Sequence, residues 1–167
     1  MNKTEQYLLD LPLEYKNNKV AIRNTFRMLK RKKPKQLDNI VQALHEEAFD
    51  KINCLDCGNC CKTISPRITD HDFSRLAKFL KIKPSVLTVK YLRLDEDDDY
   101  VFQQMPCPFL MSDNACMVYE GRPKACREYP HTDQNKFFQV LNITEKNIEI
   151  CPAVMEISKA IVVEFER

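Results

Sequence analysis

The chain has 167 residues, 44% hydrophobic and 30% charged, with a formal net charge of +2, which is length enough for a buried core and too apolar for a disordered chain. No apolar run approaches the roughly 20 residues that span a bilayer, so no membrane segment is expected. Gly58 and Gly121 are the only glycines, which excludes the dinucleotide fingerprints and phosphate loops whose backbones need several.

The first ten residues contain no apolar core segment and no small-residue cleavage site. Standard export is therefore not expected, and the chain is read as cytoplasmic with its thiols reduced. Residues 1–35 hold ten Lys or Arg against three acidic residues and are read as a basic helical segment preceding a cysteine-rich domain over 36–167. The run from Arg27 to Lys35 could meet nucleic acid or an acidic partner. No aromatic interleaving or reader motif accompanies it, so nucleic acid is not the expected partner. A helix end whose cations complement the macrodipole before Pro34 accounts for the charge.

Leu37, Ile40, Val41, Leu44 and Ala48 recur at helical spacing and predict a helix over about 36 to 50 that leads into the first cysteines. Phe73, Leu76, Ala77 and Leu80 predict another, opened by Thr69 or Asp70 as N-cap. Pro84 and Ser85 start a third, carrying Val86, Leu87, Val89 and Tyr91. The acidic run Asp95 to Asp99 lacks the ligand and glycine spacing of a calcium loop and is read as an exposed connection. Tyr100–Gln104 and Phe137–Ile143, aromatic and β-branched, are predicted to pair as short strands. A closing helix is predicted over about 152 to 166 through Val154, Ile157, Ile161 and Phe165. The expected fold is α+β, a helix-rich single domain with short strands and irregular cysteine loops organised by metal.

Eight cysteines carry the chemistry, four of them in Cys54-Leu-Asp-Cys57-Gly-Asn-Cys60-Cys61. Four thiols in eight residues among Asp, Gly and Asn have no apolar periodicity, so core packing does not explain them. Cys54-x-x-Cys57-Gly58 is a thiolate knuckle: two intervening residues let both sulfurs reach one ion, and glycine relaxes the turn that aims amides at sulfur. Neighbouring side chains usually diverge, so Cys60 and Cys61 are expected to serve different metals or different atoms of one cluster. Cys107, Cys116, Cys126 and Cys151 follow, and eight thiolates could complete two four-ligand sites.

A zinc ribbon expects a second tight Cys-x-x-Cys knuckle, which eight residues between Cys107 and Cys116 and nine between Cys116 and Cys126 do not supply. Cys54, Cys57 and Cys60 match the first three positions of the bacterial ferredoxin pattern, although the remainder of that pattern is broken. Lys62, Arg122, Lys124 and Arg127 lie beside cysteines and would offset thiolate charge. The reading favours an iron–sulfur cluster, of the 4Fe-4S kind, with zinc as the alternative, since both accept four thiolates.

The ordered pieces from Cys54 to Cys61, Asp70 ahead of a helix, Cys107-Pro-Phe-Leu, and Cys116-Met-Val-Tyr119-Glu-Gly-Arg122-Pro-x-x-Cys126-Arg127-x-Tyr129-Pro130 resemble the YkgJ cysteine-cluster family, described as chelating zinc or iron. Cys151 is similar to a late family cysteine. The resemblance implies a metal site built from these cysteines. A related cluster in flagellin lysine methylases implies, as an alternative, a protein-modifying enzyme.

Arg122 and Arg127 could orient an anionic substrate, and Tyr119 or Tyr129 could donate a proton. The favoured reading is structural: the arginines satisfy carbonyls or neutralise thiolates while the tyrosines pack over the cluster. No catalytic residue is assigned. His45 is placed on the solvated side of its helix, and His71 and His131 lack a partner at ligand spacing. The expected function is a cytoplasmic metal-binding protein whose thiolate cluster works with a protein partner; a protein-modifying enzyme and a metal chelator or carrier are the alternatives.

Overall fold

The computed structural model describes residues 2–166 and is 64% helical with one two-stranded antiparallel sheet, which is the helix-rich α+β class expected. The elements in chain order are α1 (Lys3–Lys32), α2 (Leu37–Lys51), α3 (Cys54–Cys57), α4 (Asn59–Thr63), α5 (Asp70–Leu80), α6 (Pro84–Tyr91), β1 (Leu92–Leu94), β2 (Tyr100–Phe102), α7 (Lys124–Glu128), α8 (Leu141–Asn147) and α9 (Pro152–Phe165), with 3-10 turns at Tyr119–Gly121 and Phe137–Gln139. No helix among the described residues is long and apolar enough to cross a membrane. The chain groups into two units, Met1–Cys57 with Pro130–Arg167, and Gly58–Tyr129. The sequence boundary at 35 and 36 lies inside the first of these.

The first unit is a helical assembly. Asn2 and Glu5 form a capping box that satisfies amides at the start of α1, and Lys33 in the left-handed region ends it by donating to the Leu29 carbonyl at 2.8 Å. The inner face of α1 buries Leu11, Ile22, Phe26 and Leu29 together with Leu37, Val41 and Ala48 of α2 and Val154, Ile157 and Ile161 of α9. The segment predicted as a strand over Phe137–Ile143 is instead a 3-10 turn leading into α8. Asp38, in the first turn of α2, accepts from the Lys136 and Phe137 amides at 2.7 and 2.9 Å, and the Phe137 ring sits fully buried in the core. The carboxylate and the core pocket decide this backbone, and β propensity yields to them.

In the second unit, Tyr100–Phe102 does pair as a strand. Its partner is Leu92–Leu94, with Leu92 opposite Phe102 and Leu94 opposite Tyr100. The acidic run is the turn between them: Asp95 Oδ1 accepts from the Asp97 and Asp99 amides, each at 3.0 Å, and Arg67 pairs with Asp99 at 2.8 Å. Thr69 is the N-cap of α5, in a capping box with Asp72. Ile68, Leu76, Leu87, Phe102, Phe109 and Val118 form this unit's core, with the Phe109 ring centroid 4.9 Å from Tyr91 and 5.4 Å from Phe102.

Candidate metal centre

Gly58 opens the second unit with φ of 60°, and α4 begins at the next residue. That left-handed turn suits glycine, and a Cβ there would stand 2.6 Å from Asn114 Oδ1. Helix α4 carries Cys60 and Cys61, whose sulfurs lie 4.0 Å apart. The expectation that these neighbours diverge is therefore corrected, because a single short helical turn leaves room for both thiols to lean together. The Cys61 carbonyl accepts from the Cys107 amide at 2.8 Å, which ties α4 to the next cysteine loop.

That loop folds on itself. Leu110 forms a β-bridge with Cys116, and the Met117 amide donates to the Phe109 carbonyl at 2.9 Å. Amides of Phe109 and Leu110 also hydrogen-bond the Cys107 sulfur, and that of Val118 the Cys116 sulfur. Donors two or three residues past a cysteine favour its thiolate, and this is knuckle geometry at positions where no Cys-x-x-Cys occurs. Cys126 lies on α7. Burial pushes the Cys107 thiol up to about 11 and the Cys126 thiol up to about 12, each raised further by charge on Cys61 and Cys116; Cys116 is also raised, mainly by burial. Cys61 moves the other way, down to about 7, held there by its hydrogen bond with Cys60 and by the charges of Arg122 and Lys62 against the effect of burial.

The cations take the structural role favoured from the sequence. Arg122 stacks on the Tyr119 ring, 3.6 Å from its centroid, and its Nε donates to the Tyr119 carbonyl at 2.9 Å. Its charge favours thiolate at Cys61, Cys116 and Cys126. Arg127 donates to the Arg122 carbonyl at 3.0 Å, and Arg75 donates to the same carbonyl. Behind them stands a residue the sequence reading missed. Asp72, 1% exposed, accepts from the Thr69 amide at 3.0 Å, the Thr69 hydroxyl at 2.7 Å, Arg75 at 2.8 Å and the Lys124 amide at 2.8 Å. It anchors the segment that delivers Cys126. Its capping-box position after Thr69 was visible in the sequence; its hold on Lys124, 52 residues on, was not.

The first unit holds the other three cysteines. Cys54 and Cys57 lie on α3, preceded by Asn53, whose side chain accepts from the Leu55 amide at 3.0 Å and whose amide donates to the buried Thr4 hydroxyl at 3.2 Å. Cys151 is the N-cap of α9, where the Val154 and Ala153 amides reach its sulfur. Burial pushes its thiol up to about 12, with charge on Cys54 and Cys57 adding to the rise. His45 is half-buried, with Nδ1 2.7 Å from the Thr132 hydroxyl and its ring tilted on Phe49, so the solvated placement is corrected. His71 is exposed on α5, and His131 adopts a φ of 69°.

Five cysteines, Cys60, Cys61, Cys107, Cys116 and Cys126, thus belong to one unit, and three, Cys54, Cys57 and Cys151, to the other. None of the eight is disulfide-bonded, and among the described residues no three Cys, His, Asp or Glu side chains already converge as a metal-binding group. The donor set itself is all sulfur, with amides and cations that favour thiolates, and it suits a thiophilic metal. A match to the CxxCxxCC family model, described as "Putative zinc- or iron-chelating domain", extends over residues 53–152. The chain belongs to this family. The CxxCxxCC signature falls on Cys54, Cys57, Cys60 and Cys61, and the matched region runs through Cys107, Cys116 and Cys126 to Cys151 and Pro152. No curated protein and no solved structure matches the chain.

Proposed function

We propose that this CxxCxxCC protein is a cytoplasmic iron–sulfur module, with Cys60, Cys61, Cys107, Cys116 and Cys126 as the source of cluster ligands, and that it acts with a protein partner. The observation that carries the reading is the membership of five thiols in one unit, with sulfur as the donor type and Arg122 and Lys62 placed to offset thiolate charge. Four thiolates suffice for a cluster, which supplies one-electron chemistry when bound. The chain's own contribution is to orient the thiols through α4, the Cys107 to Cys116 loop and the Asp72 anchor of α7. Amides at Cys107 and Cys116 and the Arg122 guanidinium then stabilise the deprotonated ligands.

One distance favours zinc as a second reading. The 4.0 Å separation of the Cys60 and Cys61 sulfurs is close to the spacing of about 3.8 Å that two thiolates take on one tetrahedral ion with bonds of about 2.3 Å. Anaerobic purification with iron, zinc and acid-labile sulfide analysis, alongside a visible absorption spectrum, separates the two. Iron with stoichiometric sulfide is the expected result, and zinc without sulfide overturns it. Replacing Cys54, Cys57 and Cys151 together by serine is expected to leave the chromophore in place, whereas replacing Cys107 and Cys126 together leaves fewer than four thiols in the second unit and removes it. Loss of the chromophore in the triple variant alone would move the ligand assignment to the first unit.

A further inference from the structure

Helix α1 buries one face and leaves the other bare. Leu9, Leu13 and Val20 on that outer face are 66%, 62% and 65% exposed. At 3.6 residues per turn these three fall within an arc of about 40° that also contains Arg27 and Arg31. The result is one stripe about 33 Å long, with three bare apolar side chains in its first half, edged by Lys16, and Arg27 and Arg31 in its second. Lys32 and Lys35, both exposed, add charge at the same end. Two other cations of α1 are engaged, Arg23 with Glu145 at 2.6 Å and Lys30 with Asn142 at 3.2 Å, while exposed Lys16 lies at the edge of the stripe, about 20° from Leu9. Among the described residues no carboxylate pairs with Arg27 or Arg31.

We propose that this stripe of α1 is a docking surface for an acidic amphipathic helix of a protein partner. Its layout selects that occupant. A helix lying on an anionic membrane separates apolar and basic residues across its axis, with the charge flanking the apolar face along its whole length. Here the cations border the apolar stretch on one side only, at Lys16 and at Arg23, which Glu145 neutralises, and Arg27 and Arg31 follow it along the axis on the same face, which matches a partner helix with an apolar stretch followed by acidic residues. A second copy of the chain cannot supply those acids from α1. Glu5 is used in the capping box, Asp10 accepts from Gln6 at 2.9 Å, and Glu14 pairs with Lys159 at 2.7 Å. Duplex nucleic acid would use the cations and leave Leu9, Leu13 and Val20 wet.

Fluorescence anisotropy with the full chain tests this, using a labelled synthetic helical peptide that bears a leucine stripe and then a glutamate block. The control peptide has lysine in place of glutamate. The glutamate peptide is expected to bind in a salt-sensitive manner. Affinity should fall by about tenfold or more in Leu13→Asp and in the double variant Arg27→Glu with Arg31→Glu, while circular dichroism melts of both variants match wild type. Equal binding of the lysine peptide, or unchanged affinity in both variants, overturns the proposal. So does phosphatidylglycerol vesicle or duplex DNA binding that is tighter than peptide binding and shows the same variant sensitivity. Sedimentation showing a dimer that Leu13→Asp dissociates would assign the stripe to a second copy instead.

Discussion

Replacing Gly58 by alanine isolates the turn that sets Cys60 and Cys61. An L residue at φ of 60° costs about 1–2 kcal/mol relative to glycine. The new methyl carbon would also meet Asn114 Oδ1 at 2.6 Å and Cγ at 2.9 Å, closer than Cβ atoms tolerate. Rotation of the Asn114 side chain relieves only part of this overlap, because its Cβ also lies 3.1 Å away on a backbone with φ of 62° whose amide is held by the Met111 carbonyl at 3.0 Å. Strain and overpacking together are expected to cost about 2–4 kcal/mol. For a domain of this size that is a fall in melting temperature of roughly 2–4 °C per kcal/mol, read by circular dichroism of metal-free protein. Because the Cys61 carbonyl holds the Cys107 amide, bound metal per chain should fall as well. Adding Asn114→Gly to Gly58→Ala removes the side-chain overlap while leaving a residue that accepts positive φ. The double variant should recover the overlap part of the loss and retain the backbone part. A single variant as stable as wild type, or a double variant no better than the single, would refute the reasoning.

Asp72→Ala removes the acceptor shared by Thr69, Arg75 and the Lys124 amide and should destabilise by about 3–5 kcal/mol in urea unfolding. Asp72→Asn keeps the shape and should lose less; equal losses would show that the charge, which both variants remove, and not the side-chain packing accounts for the effect. Without metal the fold should also weaken in alkali. Cys107, Cys126 and Cys151 are raised to about 11, about 12 and about 12 by burial, so the folded state holds their protons more tightly than the unfolded state does. Their stabilising effect is complete below the ordinary thiol range near 9 and is lost as pH climbs from there toward 11 or 12, with a slope of up to about 1.4 kcal/mol per pH unit per thiol. Urea midpoints of metal-free protein from about pH 8, below the ordinary thiol value, to about pH 10.5, part-way to the raised ones, check the sign, and Cys126→Ala should flatten the slope. Phe137→Ala, at a fully buried ring, should cost about 3–5 kcal/mol by the same assay; a loss below about 1 kcal/mol would mean the ring is not a core anchor.

Much of the frame was legible because its signals are local. The period of Leu37, Val41 and Ala48, the Thr69 cap and Pro84 at a helix start each act within one or two turns, and α2, α5 and α6 lie where those signals place them. Phe137–Ile143 failed because its backbone is fixed from 98 and 99 residues away, by Asp38 reaching the Lys136 and Phe137 amides. Tyr100–Phe102 was recognised as a strand but its partner was not, since Phe137–Ile143 shares its aromatic and β-branched composition and Leu92–Leu94 pairs only once the Asp95 turn folds the chain back. The cysteines themselves stood out by composition. Their grouping did not, because it depends on which backbone carries each thiol.

Gly58 shows why spacing alone misleads about that grouping. Were residues 54 to 61 one uninterrupted helix, Cys54, Cys57 and Cys61 would share a face at i, i+3 and i+7, and Cys60 would point elsewhere. The left-handed residue at 58 ends that periodicity. Helix α3 stops at Cys57, α4 starts at Asn59, and the boundary between the two units falls at the same peptide. Cys54 and Cys57 therefore keep their i, i+3 relation within the unit that contains Cys151. Cys60 and Cys61 restart the count in the unit that contains Cys107, Cys116 and Cys126, where their sulfurs come within 4.0 Å. A motif contiguous in sequence is thus divided between two units at the position of a left-handed residue, and that residue is one of only two glycines in the chain.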